Sequence, residues 1–234
     1  MTRREFLAGS ALFAMAVVVL TGCTLASETL RYRVTVEVDT PLGIRSGSSV
    51  WEVSTSEGLA FPGPEAGSLA SDVRGDAVAV DLPGGTLFAL LRGAGGGVDY
   101  PVYLVQRHLA KYPDPRIELI PQDWAENRRR IQQSGVKFEL AADEYPMLVR
   151  FRSLSAPTTV EKVQPGSLPE HFAGVRLLRI TVEMTHDPVT TGIEGRLPWL
   201  NTSVTGYLDG QFTGGGPGLA NILDTTAFKG AAGM

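Results

Sequence analysis

Residues 31–39 read RYRVTVEVD, and this stretch decides the class of fold. Its apolar and polar residues alternate, which is the period of a strand with one face buried. The apolar positions are Tyr32, Val34, Val36 and Val38. Residues 48–55 (SSVWEVST) form a second strand-like run beyond the turn-like residues 41–44. The two runs predict an antiparallel hairpin at the start of the domain.

Further strand-like runs follow along the chain. Residues 76–82 and 86–91 flank Pro83-Gly84-Gly85 and predict a second hairpin. Residues 57–75, between the two hairpins, show no clear period and are predicted to be irregular. Shorter predicted strands lie at 136–140, 147–152, 159–163, 175–185 and 202–208.

The helical signal is strongest in residues 122–133 (QDWAENRRRIQQ), which Pro121 precedes and Gly135 ends. Only part of one side of this helix is apolar, so we expect it to pack on the rim of a sheet. Residues 102–111 fit either a short helix or a strand. Single helical turns are predicted at 168–172 and 193–200.

Together these elements predict an α+β, β-rich fold, a mainly antiparallel sheet with one clear helix and a few short helical turns. A single β-rich domain is expected over residues 31–210. Residues 211–234 form a Gly-rich C-terminal tail that is loosely held or docks through a short helix at 219–228. The stretches near 31–53 and 175–200 resemble proteobacterial proteins of unassigned function, and this resemblance implies no activity.

Residues 1–22 have the layout of a secretory signal peptide. Arg3 and Arg4 supply a basic start, and residues 7–20 form an apolar stretch of 14 residues that only Gly9 and Ser10 interrupt. A membrane-spanning helix needs about 20 apolar residues, so a cleaved export signal is favoured over a permanent span.

The end of this signal, Leu20-Thr21-Gly22-Cys23, resembles the lipobox of bacterial lipoproteins. The resemblance implies that the Cys23 thiol receives a diacylglyceryl lipid and becomes the new N-terminus. Residues 23–30 would then be a lipidated tether. The seven residues after Cys23, if flexible, reach roughly 15 Å, so we expect the domain to lie close to the bilayer.

The segment Thr2-Arg3-Arg4-Glu5-Phe6-Leu7 resembles a twin-arginine export motif, with Arg3, Arg4, Phe6 and Leu7 at its defining positions. This route carries proteins that fold before export, and the general secretory route remains the alternative. Thr24, rather than aspartate, follows Cys23. In the enterobacterial sorting pattern this favours the periplasmic face of the outer membrane over the inner membrane.

The composition limits the partners. Without residues 1–22, which contain Arg3, Arg4 and Glu5, the chain has 19 basic and 24 acidic residues and a net charge of −5. This balance argues against nucleic-acid binding, which would need a basic patch. Cys23 is the single cysteine of the sequence. The mature domain therefore contains no internal disulfide and no Cys-ligated metal cluster.

No motif fixes a reaction. The chain has no G-x-S-x-G elbow, and the glycine clusters at 93–97 and 214–218 lack the Gly-Lys-Ser/Thr of a phosphate loop. Glu183 and His186 have E-x-x-H spacing, but in a strand such residues point to opposite faces. The sequence predicts no cofactor and no metal site, and it leaves the catalytic residues unknown.

Several residues have two interpretations each. His108, His171 and His186 lie in different segments and are either ordinary histidines or members of a site assembled by the fold. Asp143-Glu144 is a solvated turn or an acid–base pair. The run 128–130, all arginine, is a solvated helix face or a contact for an acidic partner, and Glu126 offers Arg130 an i,i+4 partner. Arg74-Gly75-Asp76 matches an integrin-binding tripeptide by chance. Four large aromatic residues line a ligand groove or belong to the core: Trp51, Trp124, Trp199 and Tyr207.

The sequence therefore predicts a lipid-anchored extracytoplasmic protein that serves as a binding, assembly or envelope-structural module. Its expected partners are the membrane, through the N-terminal lipid, and an envelope protein. The alternative is a periplasmic enzyme or ligand-binding accessory with a site assembled by the fold. A deep pocket with two histidines or paired carboxylates would favour the enzyme, and a flat apolar patch with a polar rim would favour the module.

Overall fold

The computed structural model describes residues 27–57, 69–202 and 206–230. The predicted signal peptide and lipobox lie outside the described residues, as do 203–205 of the predicted last strand and the end of the tail. The strands are β1 (Ser27–Thr40), β2 (Gly43–Glu57), β3 (Leu69–Arg74), β4 (Val78–Leu82), β5 (Gly85–Gly93), β6 (Lys137–Glu139), β7 (Pro146–Phe151), β8 (Val160–Lys162) and β9 (Arg176–Met184). The helices are α1 (Tyr100–Lys111), α2 (Trp124–Ser134) and α3 (Leu168–His171).

The first sheet has the order β3-β2-β1-β9-β6, and all its strand pairs are antiparallel. The β1–β2 hairpin predicted from the opening stretch is confirmed, with Tyr32 opposite Trp51. The four alternating apolar residues of β1 are fully buried, whereas the residues between them are partly exposed. The period of two in the sequence therefore marks the buried face.

The second sheet has the order β4-β5-β7-β8 and is also antiparallel. Its β4–β5 pair confirms the second predicted hairpin. Strand β5 is apolar without alternation, because both of its faces are covered. Leu87 and Leu91 enter a first core, which lies between the two sheets and beneath α1 and α2. Phe88 and Leu90 enter a second core on the opposite face.

The C-terminal segment builds the outer half of the second core. Leu223, Ala227 and Phe228 are fully buried there, in and beside two short 3₁₀ turns at 219–221 and 225–227. The backbone N–H of Ala77 donates to the Phe228 carbonyl at 2.7 Å. The C-terminal segment was expected to be either loosely held or docked. The structure shows that residues 219–228 are docked.

The two sheets approach each other closely at Gly47 of β2. A Cβ atom placed on Gly47 would lie 2.1 Å from the Ala79 carbonyl oxygen on β4. Two heavy atoms cannot approach to that distance, so only glycine permits this contact. The residue opposite Gly47 on β1 is Val36, which is fully buried.

Helix α2 agrees with the sequence prediction, and helix α1 resolves an ambiguity in it. Helix α2 confirms the predicted helix, with the Asp123 side chain accepting from the Glu126 N–H and Gly135 in the left-handed conformation at its end. Residues 102–111 are helical, not extended. Helix α1 buries its apolar side against the first core, through Val102, Val105 and Leu109 among others.

Three expectations need correction. Residues 57–75 were expected to be irregular, but 69–74 form the edge strand β3. Its residues are mostly exposed and do not alternate, and pairing with β2 holds the strand in place. Residues 27–30 belong to β1, not to a tether, because Leu30 is buried opposite Val53. In the described part of 202–208 no strand forms, and Tyr207 makes an isolated bridge to Asp224.

Candidate functional site

A cleft of about 330 Å³ opens where β5 ends, α1 begins and the chain turns into β7. This volume is at the lower end of the range for small-molecule sites, roughly 300–1,000 Å³. The lining residues are Gly93, Ala94, Gly95, Gly97, Asp99, Tyr100, Leu104, Arg107, Asp143, Glu144 and Tyr145. They come from two segments, 93–107 and 143–145, that are far apart in the sequence, so the fold assembles the cleft.

The carboxylate of Glu144 is the most firmly held polar group in the cleft. Its Oε2 atom accepts a hydrogen bond from the Ala141 N–H at 3.0 Å and lies 2.8 Å from Nδ1 of His108. Only 11% of the Glu144 side chain is exposed. Among the described residues, Oε1 has no hydrogen-bond partner. One oxygen therefore anchors the carboxylate, and the other is free for a ligand.

His108 supports Glu144 from behind the cleft. It is buried on α1, and its ring stacks on Phe138 with the centroids 3.8 Å apart and the planes 8° from parallel. The Tyr112 ring lies 5.0 Å away on another side. This packing fixes the ring, so the hydrogen bond to Glu144 has a defined direction. His108 is thus a positioning residue and does not itself line the cleft.

The opposite wall is the glycine loop after β5. Gly96 has a positive φ of 90°, which favours glycine, and its N–H donates to the Gly93 carbonyl. The Ala94 N–H donates to the Tyr145 carbonyl at 3.1 Å, and this bond ties the loop to the turn that carries Glu144. These backbone hydrogen bonds make the loop a fixed wall of the cleft.

Tyr100 is a buried residue in the lining of the cleft. Its hydroxyl donates to the Glu144 carbonyl oxygen at 2.8 Å. Burial raises the pKa of the Tyr100 hydroxyl well above its ordinary value, with the neighbouring Tyr32 and Glu144 adding to the effect. Tyr100 therefore stays protonated and serves as a neutral donor that holds the turn in place.

The charges that line the cleft are mostly negative. Asp143 forms an exposed ion pair with Lys111 at 2.7 Å, and this hydrogen bond lowers the pKa of the Asp143 carboxyl. Asp99 is exposed at the start of α1. Arg107 lies over the Tyr103 ring, 5.2 Å from its centroid, and has no ion-pair partner among the described residues. The cleft lining therefore contains three carboxylates and one guanidinium that has no ion-pair partner among the described residues.

The structure brings His108 and Glu144 together but leaves the other histidines elsewhere. His171 is half-buried at the end of α3, and its carbonyl accepts from Arg150. His186 is exposed beyond β9. Glu183, its E-x-x-H companion, pairs with Lys137 at 3.2 Å. In the described ranges, no group of three or more His, Cys, Asp or Glu side chains is arranged to hold a metal ion.

The sequence left Asp143-Glu144 as either a solvated turn or an acid–base pair, and the two residues differ in the structure. Asp143 is a solvated turn residue, whereas Glu144 is almost buried and hydrogen-bonded. The sequence separates His108 from Glu144 by 36 positions. No local spacing points to such a pair, and the only available signal was the helical period that buries His108 on the apolar side of α1.

The arginine run was expected to be a solvated face or a contact for an acidic partner, and Arg128 departs from that expectation because it is buried. Arg128 is 2% exposed, and its Nη1 atom has no partner among the described residues. Arg130 does form the predicted i,i+4 pair with Glu126, at 3.0 Å. Arg128 is buried because it projects from the same side of α2 as Ile131.

The four large aromatic residues do not form one groove. Trp51 belongs to the first core and Trp199 to the second. Trp124 and Tyr207 are half-buried in separate segments. The core interpretation therefore applies to Trp51 and Trp199.

Comparisons with known proteins give no further information on function. No protein-family model, no curated protein and no solved structure matches the chain significantly. Of the helices within the described ranges, none combines the length and the apolar character that crossing a bilayer requires.

Proposed function

We propose that this chain is a lipid-anchored extracytoplasmic binding protein that takes its ligand in the Glu144 cleft. The observation that carries this proposal is the state of the Glu144 carboxylate. Oε2 is held by His108 and Ala141, and Oε1 is left free at the cleft. A carboxylate fixed in this way accepts a hydrogen bond or a cation without having to lose side-chain freedom first.

The rest of the cleft fits a ligand with separated charges. Glu144 and Asp99 favour a cationic or hydrogen-bond-donating end, and Arg107 favours an anionic end. Leu104 and Tyr145 add apolar surface to the cleft. The lining residues include no serine, threonine or cysteine that would act as a nucleophile.

The anchor is proposed from the N-terminal pattern and from where the fold begins. Strand β1 starts at Ser27, four positions after Cys23. Four residues span at most about 14 Å, so a lipid on Cys23 would keep the domain against the bilayer. We place it at the periplasmic face, with the outer membrane favoured over the inner because Thr24 follows the cysteine. An envelope protein is the partner proposed for the domain surface.

Replacement of Cys23 with alanine is expected to abolish lipid attachment. Cells would be grown with a clickable fatty-acid analogue, and the protein would be isolated and examined for label. The wild-type protein should carry the label and fractionate with membranes, whereas the Cys23→Ala protein should carry none. Label on the Cys23→Ala protein would contradict the proposed lipid anchor, and this outcome does not depend on whether the cleft binds a ligand.

Replacement of Glu144 with glutamine should weaken ligand binding about 10- to 100-fold, the usual loss when one hydrogen bond to a charged group is removed. Glutamine keeps the shape and still accepts from the Ala141 N–H. Protein isolated gently from membranes would be examined by native mass spectrometry for a bound small molecule. Glu139→Gln is the matched control, because Glu139 is exposed and lies outside the cleft.

The bound mass should be present in the wild type and in Glu139→Gln, and reduced or absent in Glu144→Gln. Equal occupancy in all three proteins would place the ligand elsewhere. A wild-type protein with no bound molecule, and with no stabilisation by a metabolite library, would contradict the binding function.

A second candidate function is an acid–base enzyme, which the hydrogen-bonded His108–Glu144 pair beside Asp143 favours. In that case Glu144 Oε1 would remove or deliver a proton while His108 holds the carboxylate. A single measurement distinguishes the binding protein from the enzyme. A binding protein returns its isolated ligand unchanged after prolonged incubation, whereas an enzyme converts it and loses that conversion in Glu144→Gln.

A further inference from the structure

A second groove, of about 370 Å³, lies beside His108 and shares no lining residue with the Glu144 cleft. Its lining comes from the end of α1 with the residues that follow it, 108–116, and from residues 136–138 at β6. We call it the His108 groove. Its volume is at the lower end of the range for small-molecule sites, roughly 300–1,000 Å³. A ligand in this groove would therefore be small.

The imidazole ring of His108 connects the groove to Glu144. Its Nδ1 atom lies 2.8 Å from Glu144 Oε2. A carboxylate only accepts hydrogen bonds, so the proton of this bond is on Nδ1. The Nε2 atom makes no hydrogen bond with the described residues. Since His108 lines the groove and not the cleft, Nε2 is the ring nitrogen that can bond to a ligand in the groove.

The Nε2 atom is accessible although only 8% of the His108 side chain is exposed. Three polar side-chain atoms of the described residues are both fully buried and unpaired: Asp76 Oδ1, Arg92 Nε and Arg128 Nη1. His108 Nε2 is unpaired but is not one of them, so it keeps contact with solvent. Phe138 covers one face of the ring, with the centroids 3.8 Å apart. A ligand would therefore meet the edge of the imidazole.

The charged side chains that line the groove favour an anion. Arg116 and Lys137 are two cations, and Asp114 is the single carboxylate of the lining. Arg116 donates to Asp114 at 2.6 and 2.9 Å, and this pairing holds the pKa of the Asp114 carboxyl well below its usual range. Lys137 pairs with Glu183 at 3.2 Å, but both side chains are exposed, and such pairs contribute little. Lys137 can therefore serve an anion in the groove.

The remaining lining residues are largely apolar. They include Leu109, Val136 and Phe138, together with two prolines at 113 and 115. A metal ion fits this lining less well, because nowhere in the described part of the chain are three or more His, Cys, Asp or Glu side chains arranged to hold one. An anion with an apolar body matches both the charge and the surface of the groove.

We propose that the His108 groove binds a small apolar carboxylate, which accepts a hydrogen bond from protonated His108 at Nε2. A neutral His108 would present a lone pair to the anion, so binding requires the proton. Glu144, on the other ring nitrogen, supplies the negative charge that a buried imidazolium needs when it is taken out of water. The proton and the carboxylate therefore enter together.

Binding should depend on pH through His108. The other ionisable residues on the elements that surround it are Lys111, Tyr112, Asp114 and Arg116 at and after the end of α1, Lys137 and Glu139 on β6, and Asp143 and Glu144 in the 3₁₀ turn at 142–144. Of these residue types, histidine is the one that ordinarily changes its charge between pH 5 and 8. A change of affinity in this interval therefore reports the protonation of a histidine.

The test is isothermal titration calorimetry of the full chain in detergent with sodium benzoate, which stays ionised throughout. Its Kd should rise about 10-fold or more between about pH 5.5 and about pH 8.5, because deprotonation of His108 removes the donor. Near neutral pH, the heats in two buffers of different ionisation enthalpy should reveal the uptake of a proton. Benzamide has the same ring without the charge, and it should bind about 10-fold more weakly at the lower pH.

A substitution tests the assignment to His108. Asparagine at this position keeps a donor for Glu144 near the place of Nδ1 but removes Nε2. His108→Asn should therefore bind benzoate about 10-fold more weakly at the lower pH and lose the pH dependence. His171→Asn is the matched control, because His171 is half-buried on α3 and lies outside the groove. If His108→Asn does not fold, the proton uptake of the wild-type protein decides the outcome.

No binding of benzoate, a Kd that does not change with pH, equal binding of benzamide, or unchanged affinity in folded His108→Asn would overturn the proposal. Arg107→Gln removes the unpaired guanidinium of the Glu144 cleft and should leave benzoate binding as it is in the wild type. Loss of binding in that variant would place benzoate in the cleft and would equally overturn the proposal. The groove should bind benzoate even if the cleft binds no ligand, so the two proposals fail separately.

Discussion

Replacement of Phe228 with alanine is expected to lower the free energy of unfolding by about 3–5 kcal/mol, the usual cost of truncating a fully buried phenylalanine. Phe228 is 0% exposed. Its ring centroid lies 5.6 Å from that of Phe151 and 5.4 Å from that of Trp199. The substitution would leave a cavity at the centre of the second core.

The position of Phe228 in the chain increases the effect. The docked segment is fastened to the rest of the domain by the Ala77–Phe228 backbone hydrogen bond and by the ion pair of Arg92 with Asp224 at 2.9 Å. These bonds need the aromatic contact to hold them in register. Loss of the ring should therefore also expose the outer face of the second sheet to solvent, and a dye that binds apolar surface should report this.

Urea unfolding monitored by circular dichroism measures the stability change. Phe212→Ala is the matched control, because Phe212 lies in the same C-terminal segment but is 79% exposed. It should change stability by less than about 0.5 kcal/mol. Similar losses in the two variants would mean that the segment does not dock as the structure shows.

Replacement of Gly47 with valine is the second large expected effect, a destabilisation of roughly 2–4 kcal/mol or a failure to fold. The new Cβ would meet the Ala79 carbonyl oxygen at 2.1 Å and the Val80 side chain at 3.1 Å. The first of these atoms belongs to the backbone of β4 and has no rotamer that moves it away. The two sheets would have to separate locally, and the first core would lose contacts near the strand crossing.

The Gly47 variant is compared with Gly166→Ala. A Cβ on Gly166 meets nothing within 4 Å, and its φ is not in the left-handed region. That control should be neutral within about 0.5 kcal/mol. A difference of 2–4 kcal/mol corresponds to a fall in Tm of roughly 4–16 °C for a domain of this size, which thermal unfolding resolves easily. A stable Gly47→Val protein would show that the sheets do not cross at this point.

The strand content was predictable where a strand has one buried and one exposed face. The alternation in β1 comes directly from the geometry of an extended chain, in which neighbouring side chains point to opposite faces. Strand β3 lacked that signal because its residues are nearly all exposed, and pairing with β2 holds it in place. The C-terminal segment lacked it too, since its 3₁₀ turns have no long period.

The candidate site was less predictable than the fold. Asp143-Glu144 was recognised as a pair of carboxylates, but nothing nearby in the sequence showed that Glu144 is buried against His108. Asp76 was placed in a chance tripeptide, and only its contact with Ile193, 117 positions later, shows that it is buried. The surroundings of Glu144 and of Asp76 both depend on contacts between segments that are far apart in the chain. The packing of the two sheets brings these segments together.

The sequence by itself determined the opening hairpin, the buried face of β1, helix α2 with its glycine stop, and, because it has a single cysteine, the absence of an internal disulfide. These features follow from the spacing of covalent neighbours and from composition. Only the tertiary structure decided that the C-terminal segment completes a second core, that Glu144 keeps one oxygen free, and that Asp76 lies unpaired beside a cavity. Burial and partner choice depend on residues far apart in the chain, and no local pattern records them.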